Sequence, residues 1–109
     1  MARTKFFNPT TGQWEYADDT SSAYPIVNGE TQMLPDRYHV FGEVDSLDVT
    51  LVEVEDGCVH EYCFEFIPSE SFSGLTVTPK PQWVTAPQFP AGKTCQVSIM
   101  RGLGVMICA

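Results

Sequence analysis

From Glu61 to Phe66 the chain alternates without a break: Tyr62, Phe64 and Phe66 fall at one parity, Glu61, Cys63 and Glu65 at the other. A period of two belongs to an extended strand, whose successive side chains point to opposite faces. One of those faces is aromatic and must be buried, so the rest of the chain has to supply a layer that covers it. From Pro35 onward, short runs of β-branched and aromatic residues alternate with Gly, Pro, Asp and Ser. That is the spacing of an all-β sandwich or barrel.

Six principal strands are expected. They are about Tyr38–Val44, Asp48–Val54, Val59–Ile67, Leu75–Thr78, Thr94–Met100 and Leu103–Cys108, with a brief edge strand at 82–84. In the first, Tyr38, Val40 and Val44 are expected on one face, with His39, Phe41 and Glu43 on the other. Asp45-Ser46, Glu55-Asp56-Gly57 and Arg101-Gly102 carry turn chemistry. Pro79 and Pro81 end the fourth strand, because proline cannot donate to a ladder. No window of twelve residues keeps a helical apolar period free of Gly, Pro or β-branched interruption, and no internal repeat is visible. The fold class expected is a small antiparallel β-sandwich or barrel-like module.

The first thirty-five residues read differently. Turn-rich stretches at Asn8–Gly12, Asp18–Ser22 and Asn28–Glu30 leave only sparse apolar residues between them. This predicts an extended N-terminal arm over 1–35 and a module over 36–109. The arm's anchors would be Phe6, Phe7, Trp14, Tyr16, Tyr24 and Ile26, too few to close a core and too large to leave in water without a partner surface.

Charge divides the chain again. Residues 1–35 sum to −2, residues 36–70 to −9 and residues 71–109 to +3, within a formal net charge of −8. Clustered Lys and Arg are missing, which argues against nucleic acid or an anionic membrane as the main partner. No stretch reaches the roughly 18 consecutive apolar residues of a spanning helix. The N-terminus has two basic residues without the apolar run of a signal peptide, predicting synthesis in the cytosol. In that compartment the four cysteines are expected as free thiols.

Catalytic and metal chemistries find little support. Cys58, His60 and Cys63 form the one close Cys/His cluster, but their spacing is not that of a zinc knuckle. Cys63 and Cys95 sit on strand faces of opposite character, which disfavours a bridge between them. Cys–His catalysis lacks anything that places a thiol beside His39 or His60. Glu43, Asp45, Asp48, Glu53, Glu55 and Asp56 lack calcium-loop spacing, and strand alternation or turn position accounts for each. No catalytic residue, metal site or cofactor is assigned. Trp14, Tyr16, Trp83 and Phe89, if exposed, could stack on sugar faces, so a carbohydrate-binding adhesion module using Trp83 and Phe89 is the alternative reading.

The phrases Tyr38–Val44, Leu47–Glu53, Glu61–Phe66, Leu75-Thr76-Val77, Trp83-Val84, Ala91–Ile99 and Gly102–Val105 together resemble a C-terminal β-module of small bacteriophage and prophage virion proteins. Such modules occur in tail-associated, head-fibre and capsid-decorating proteins, and the resemblance runs from about Leu34 to Ala109. The four cysteines and the loop Pro87–Gly92 depart from the pattern. The resemblance implies a non-enzymatic virion structural protein made in the host cytoplasm. Its arm would hold capsid or tail proteins of the same virion, and the module would form a homotrimer or another small homo-oligomer. A host glycan is the partner under the adhesion alternative.

Overall fold

The computed structural model describes the backbone of residues 5–8 and 12–16 and all atoms of residues 23–109. The described residues form eleven strands and no helix. They are β1 Lys5–Asn8, β2 Gln13–Tyr16, β3 Ile26–Asn28, β4 Gln32–Met33, β5 Tyr38–Val44, β6 Leu47–Leu51, β7 Glu61–Pro68, β8 Leu75–Thr78, β9 Gln82–Trp83, β10 Cys95–Met100 and β11 Leu103–Cys108. β1 and β2 pair with each other. A six-stranded sheet runs β3-β5-β7-β10-β11-β9, and a three-stranded sheet runs β4-β6-β8.

The all-β class stands, and the antiparallel arrangement is corrected. The sheets are mixed: β3, β5 and β7 are mutually parallel, β4, β6 and β8 are all parallel, and only β7-β10-β11 is antiparallel in the large sheet. From β3 to β8 the chain steps from one sheet to the other at every connection. Two reversals return it to the first sheet in its original direction, so strands that neighbour in a sheet are parallel. Asp45-Ser46 is the expected turn, and it works as a corner between the two sheets. Its groups bond across to the next corner, where Ser73 N–H donates to Asp45 O at 2.7 Å and Leu47 N–H to Gly74 O at 3.1 Å. The windings are unequal: Ile26 pairs with Tyr38, while Tyr38 pairs with the far more distant Cys63. No fixed sequence period could have announced them.

Within the segment 1–35, β3 hydrogen-bonds to β5 and β4 to β6, and Met33 is fully buried. The chain thus enters the sheets at Ile26. Phe41, Phe64, Phe66, Val97 and Ile99 from the large sheet meet Met33, Leu47, Val49, Leu51 and Val77 from the small one in a single core cluster. Each large apolar side chain fully buried there contributes about 1.5–3 kcal/mol.

A bulge decides which face of β5 is which. Val40 pairs with Glu65 but Glu43 pairs with Ile67, so one extra residue is absorbed at Phe41-Gly42. Parity flips beyond it. His39 and Phe41 share a face as expected, and it is the core face, whereas Val44 joins them there and Glu43 turns outward. The β10–β11 turn holds both central residues at positive φ, Arg101 at 52° and Gly102 at 75°, the requirement of a two-residue primed hairpin. On β11 the expected apolar face Leu103, Val105 and Ile107 points away from the core, at 50%, 44% and 66% exposure. Gly104, Met106 and Cys108 face inward instead. A Cβ at Gly104 would sit 2.9 Å from the Trp83 ring, so glycine there lets the indole close over the sheet.

The free-thiol expectation fails for one pair. Thr94 and Ala109 exchange both backbone hydrogen bonds, which makes the adjacent pair Cys95 and Cys108 a non-hydrogen-bonded one, with Cα atoms 4.1 Å apart. In that closely spaced position the two thiols are joined as a disulfide. Cys58 and Cys63 are free.

Candidate functional site

The face of the large sheet that points away from the core is the most distinctive surface of the body. Register carries one continuous row across five strands, Ile26, Tyr38, Cys63, Ser98 and Val105, and a second beside it, Asn28, Val40, Glu65, Gln96 and Ile107. Short side chains at the middle of the first row, Cys63 and Ser98, lie between the tall Tyr38 on one side and Val105 and Ile107 on the other. The result is a trough of about 230 Å³.

Two carboxylates set the electrostatics of this trough. Ser98 Oγ donates to Glu61 Oε2 at 2.5 Å. Burial, then the neighbouring Glu61 charge, pushes the Tyr24 phenol up to about 12 and the Cys63 thiol up to about 12. Burial and a hydrogen bond to Glu65 do the same for Tyr38, also to about 12. At neutral pH these groups stay protonated, so Cys63 is a poor nucleophile. The surface therefore offers apolar walls, neutral donors and the carboxylates Glu61 and Glu65. None of the six strands of the sheet contains a Lys or Arg.

A second cluster gathers at the start of β7. His60 Nδ1 donates to Asp36 Oδ2 at 2.6 Å, and His60 Nε2 to the Asp56 carboxylate at 2.8 and 2.9 Å. A ring donating from both nitrogens is the imidazolium. Asp36, at φ 57°, also accepts from Glu61 N–H at 3.2 Å and donates its own N–H to Glu61 O at 2.8 Å. The cluster ties the loop after β6 to the entry of β5. The Asp36 and Asp56 hydrogen bonds raise the His60 pKa above its ordinary value. The Asp36 carboxyl is lowered chiefly by His60, that of Asp56 by the Cys58 N–H and then His60.

These shifts fix a pH window. A raised histidine stabilises the fold fully below its unfolded pKa, about 6.5, and that contribution is lost as pH rises through the folded value. Depressed carboxylates stabilise above about 4, and their contribution is lost as pH falls through the folded value. His39 works in the opposite sense: it is fully buried with neither ring nitrogen hydrogen-bonded, and burial lowers its pKa, so it destabilises as pH falls below about 6.5. The difference in urea midpoint between wild type and His60→Gln is expected to be largest near pH 5–6 and to shrink as pH rises through the folded pKa of His60. A pH-independent difference would show that His60 acts only by packing.

The remaining expected sites fall as follows. The side chains of Phe6, Phe7, Trp14 and Tyr16 lie outside the described residues. Tyr24 is half-buried against Glu61. Trp83 is half-buried over Gly104, with one side on a cleft it shares with Thr76, Thr78 and Lys80. Phe89 packs 5.0 Å from Phe72 and 6.3 Å from Phe66, ring centroid to centroid. Cys58, His60 and Cys63 are not brought together: both His60 nitrogens are held by carboxylates, Cys58 is exposed in the turn and Cys63 faces the trough. Among the described residues no three His, Cys, Asp or Glu side chains converge as metal ligands. Sequence reasoning missed the trough and the His60 cluster. Parity alone put Cys63 and Glu65 on one face, but joining that face to Tyr38 and Val105 required the strand order. Comparison with protein-family models, curated proteins and solved structures finds no match.

Proposed function

We propose that the chain is a non-enzymatic bacteriophage virion structural protein, a head fibre or capsid decoration protein attached through its N-terminal arm. Two features support this reading beside the resemblance of its strand phrases. Among the described residues the β1–β2 hairpin pairs only with itself, and the outer face of the large sheet leaves Leu103, Val105 and Ile107 at 50%, 44% and 66% exposure. Exposed apolar surface of this kind marks a contact with another molecule. The second of these carries the reading: a sheet face with an apolar wall belongs to a part of an assembly. In the same reading the two larger sheets stack as a sandwich, since neither edge of the small sheet pairs with the large one.

The test is incorporation. The full chain is expected in purified particles at a fixed, symmetric copy number, and the chain lacking residues 1–22 is expected to be lost from them. Incorporation undiminished by that deletion would remove the arm's role, and absence of the chain from particles would remove the virion assignment. Glycan binding that saturates and is lost in Trp83→Ala would move the assignment to host adhesion.

A further inference from the structure

We propose that β11 of one copy pairs with β11 of a second copy, antiparallel about a two-fold axis through Ile107, so that the two large sheets join edge to edge. The inference rests on the reading of the exposed Val105 and Ile107 surface as a contact in an assembly, and it names the partner.

The ladder sets the open edge. Thr94 and Ala109 exchange both backbone hydrogen bonds, so the odd-numbered residues from Leu103 to Ala109 turn their N–H and C=O groups toward β10 and the even-numbered ones turn theirs away. β9 takes up that outer edge only as far as Gly104, whose carbonyl accepts from Val84 N–H at 2.9 Å. Beyond it, Met106 and Cys108 have no backbone partner on that side among the described residues. The loop after Val84 runs on the core side, where Phe89 joins the ring stack, and it leaves a groove of about 390 Å³ beside Met106 and Cys108. Natural sheet edges are blunted by Lys, Pro or a bulge. β11 has none of these: it reads LGVMIC and its register with β10 is unbroken. An apolar edge with free backbone groups recruits another strand.

Two observations name a second copy as that strand. No Asp or Glu follows Glu70, and neither β11 nor the loop over residues 84–90 holds a charged residue, so chains of formal net charge −8 meet here without setting acid against acid. The edge is also self-complementary. With Ile107 opposite Ile107 of the second copy, Met106 exchanges both hydrogen bonds with Cys108 of the second copy, and Cys108 does the same with the other Met106. Moving the axis to Met106 would bring Cys108 of the second copy onto Gly104, whose outward groups β9 already holds. At the axis Ile107, 66% exposed in the single chain, becomes covered, because a non-hydrogen-bonded pair brings its side chains closest.

Sedimentation equilibrium on the full chain tests this, with circular dichroism as the check on folding. The contact falls at the small end of specific interfaces, so wild type is expected to dimerise at about 100 μM. Ile107→Lys and Ile107→Glu change a side chain that is already exposed. Each alone sets like charges face to face at the axis and is expected to weaken association on the order of 100-fold. Mixing the two restores the dimer, because the axis then sets Lys against Glu. Leu103→Lys, on the same face but beside β9, leaves association as in wild type. A wild type that is monomeric, trimeric or an open polymer, an Ile107→Lys chain that dimerises like wild type, a Leu103→Lys chain that does not, or a mixture that stays monomeric would each overturn the proposal. A monomeric chain that still enters particles overturns this inference and leaves the virion role standing. A dimer absent from particles does the reverse.

Discussion

Phe66→Ala is expected to remove about a fifth or more of the fold's stability. Phe66 is fully buried and stacks on three other rings, with centroids 6.1 Å from Phe64, 5.6 Å from Phe72 and 6.3 Å from Phe89. Truncating such a ring costs about 3–5 kcal/mol, the lost transfer energy plus the cavity left behind. A domain of this size holds about 5–15 kcal/mol in total. The site is poorly able to collapse, because Phe66 is fixed in the centre of the large sheet between β5 and β10. Urea unfolding should show the loss as a lower midpoint at similar slope. Phe89→Ala, at a half-buried ring on the rim of the same stack, should cost less than half as much. A Phe66→Ala midpoint shift worth under about 1 kcal/mol would show that the aromatic stack is not the keystone of the core.

Reduction of the Cys95–Cys108 bridge is the second large effect. The bridged cysteines are separated by 13 positions in sequence. Closing a loop of about 15 residues removes unfolded-state entropy worth about 3 kcal/mol in the chain-entropy account. For a body of this size that corresponds to a fall in Tm of more than about 10 °C. Oxidised and reduced wild type should differ by this amount, and Cys95→Ala/Cys108→Ala should no longer respond to reductant. Cys58→Ala should respond as wild type does, since that thiol is exposed and unpaired in the described structure. Four titratable thiols in the native, air-oxidised protein would refute the bridge. The reduced wild type is the cleaner comparison, because Cys95 is fully buried and its truncation also removes packing.

The sequence's reach shows in how particular elements came out. β5, β8 and β11 have the bounds read from their residues, while the second strand stops at Leu51, short of Val54. There the Val52 N–H donates to Met33 O and the chain turns into the loop that His60 pins. The trough was half legible: alternation separates Glu61, Cys63 and Glu65 from the aromatic face of β7. It gives no reason to expect Tyr38 and Val105 beside them, because those contacts join residues far apart in the chain. Val44 shows the same limit on a smaller scale, since one bulge residue inverts every assignment beyond it.

Two connections mark the boundary most clearly. Arg101-Gly102 could be read as a hairpin because a two-residue primed turn requires positive φ, and glycine supplies it. Asp45-Ser46 has similar turn residues, yet both keep ordinary φ, and the chain crosses the core to the other sheet. The sequence by itself determined the strand-rich class, the β7 faces and the division of charge, all of which follow from local period and composition. Only the tertiary structure decided which strand lies beside which, that β5 and β7 run parallel, that Cys95 meets Cys108 and that Val105 and Ile107 face away from the core. Alternation says that one face of a strand is buried, and the partner that buries it is a property of long-range packing.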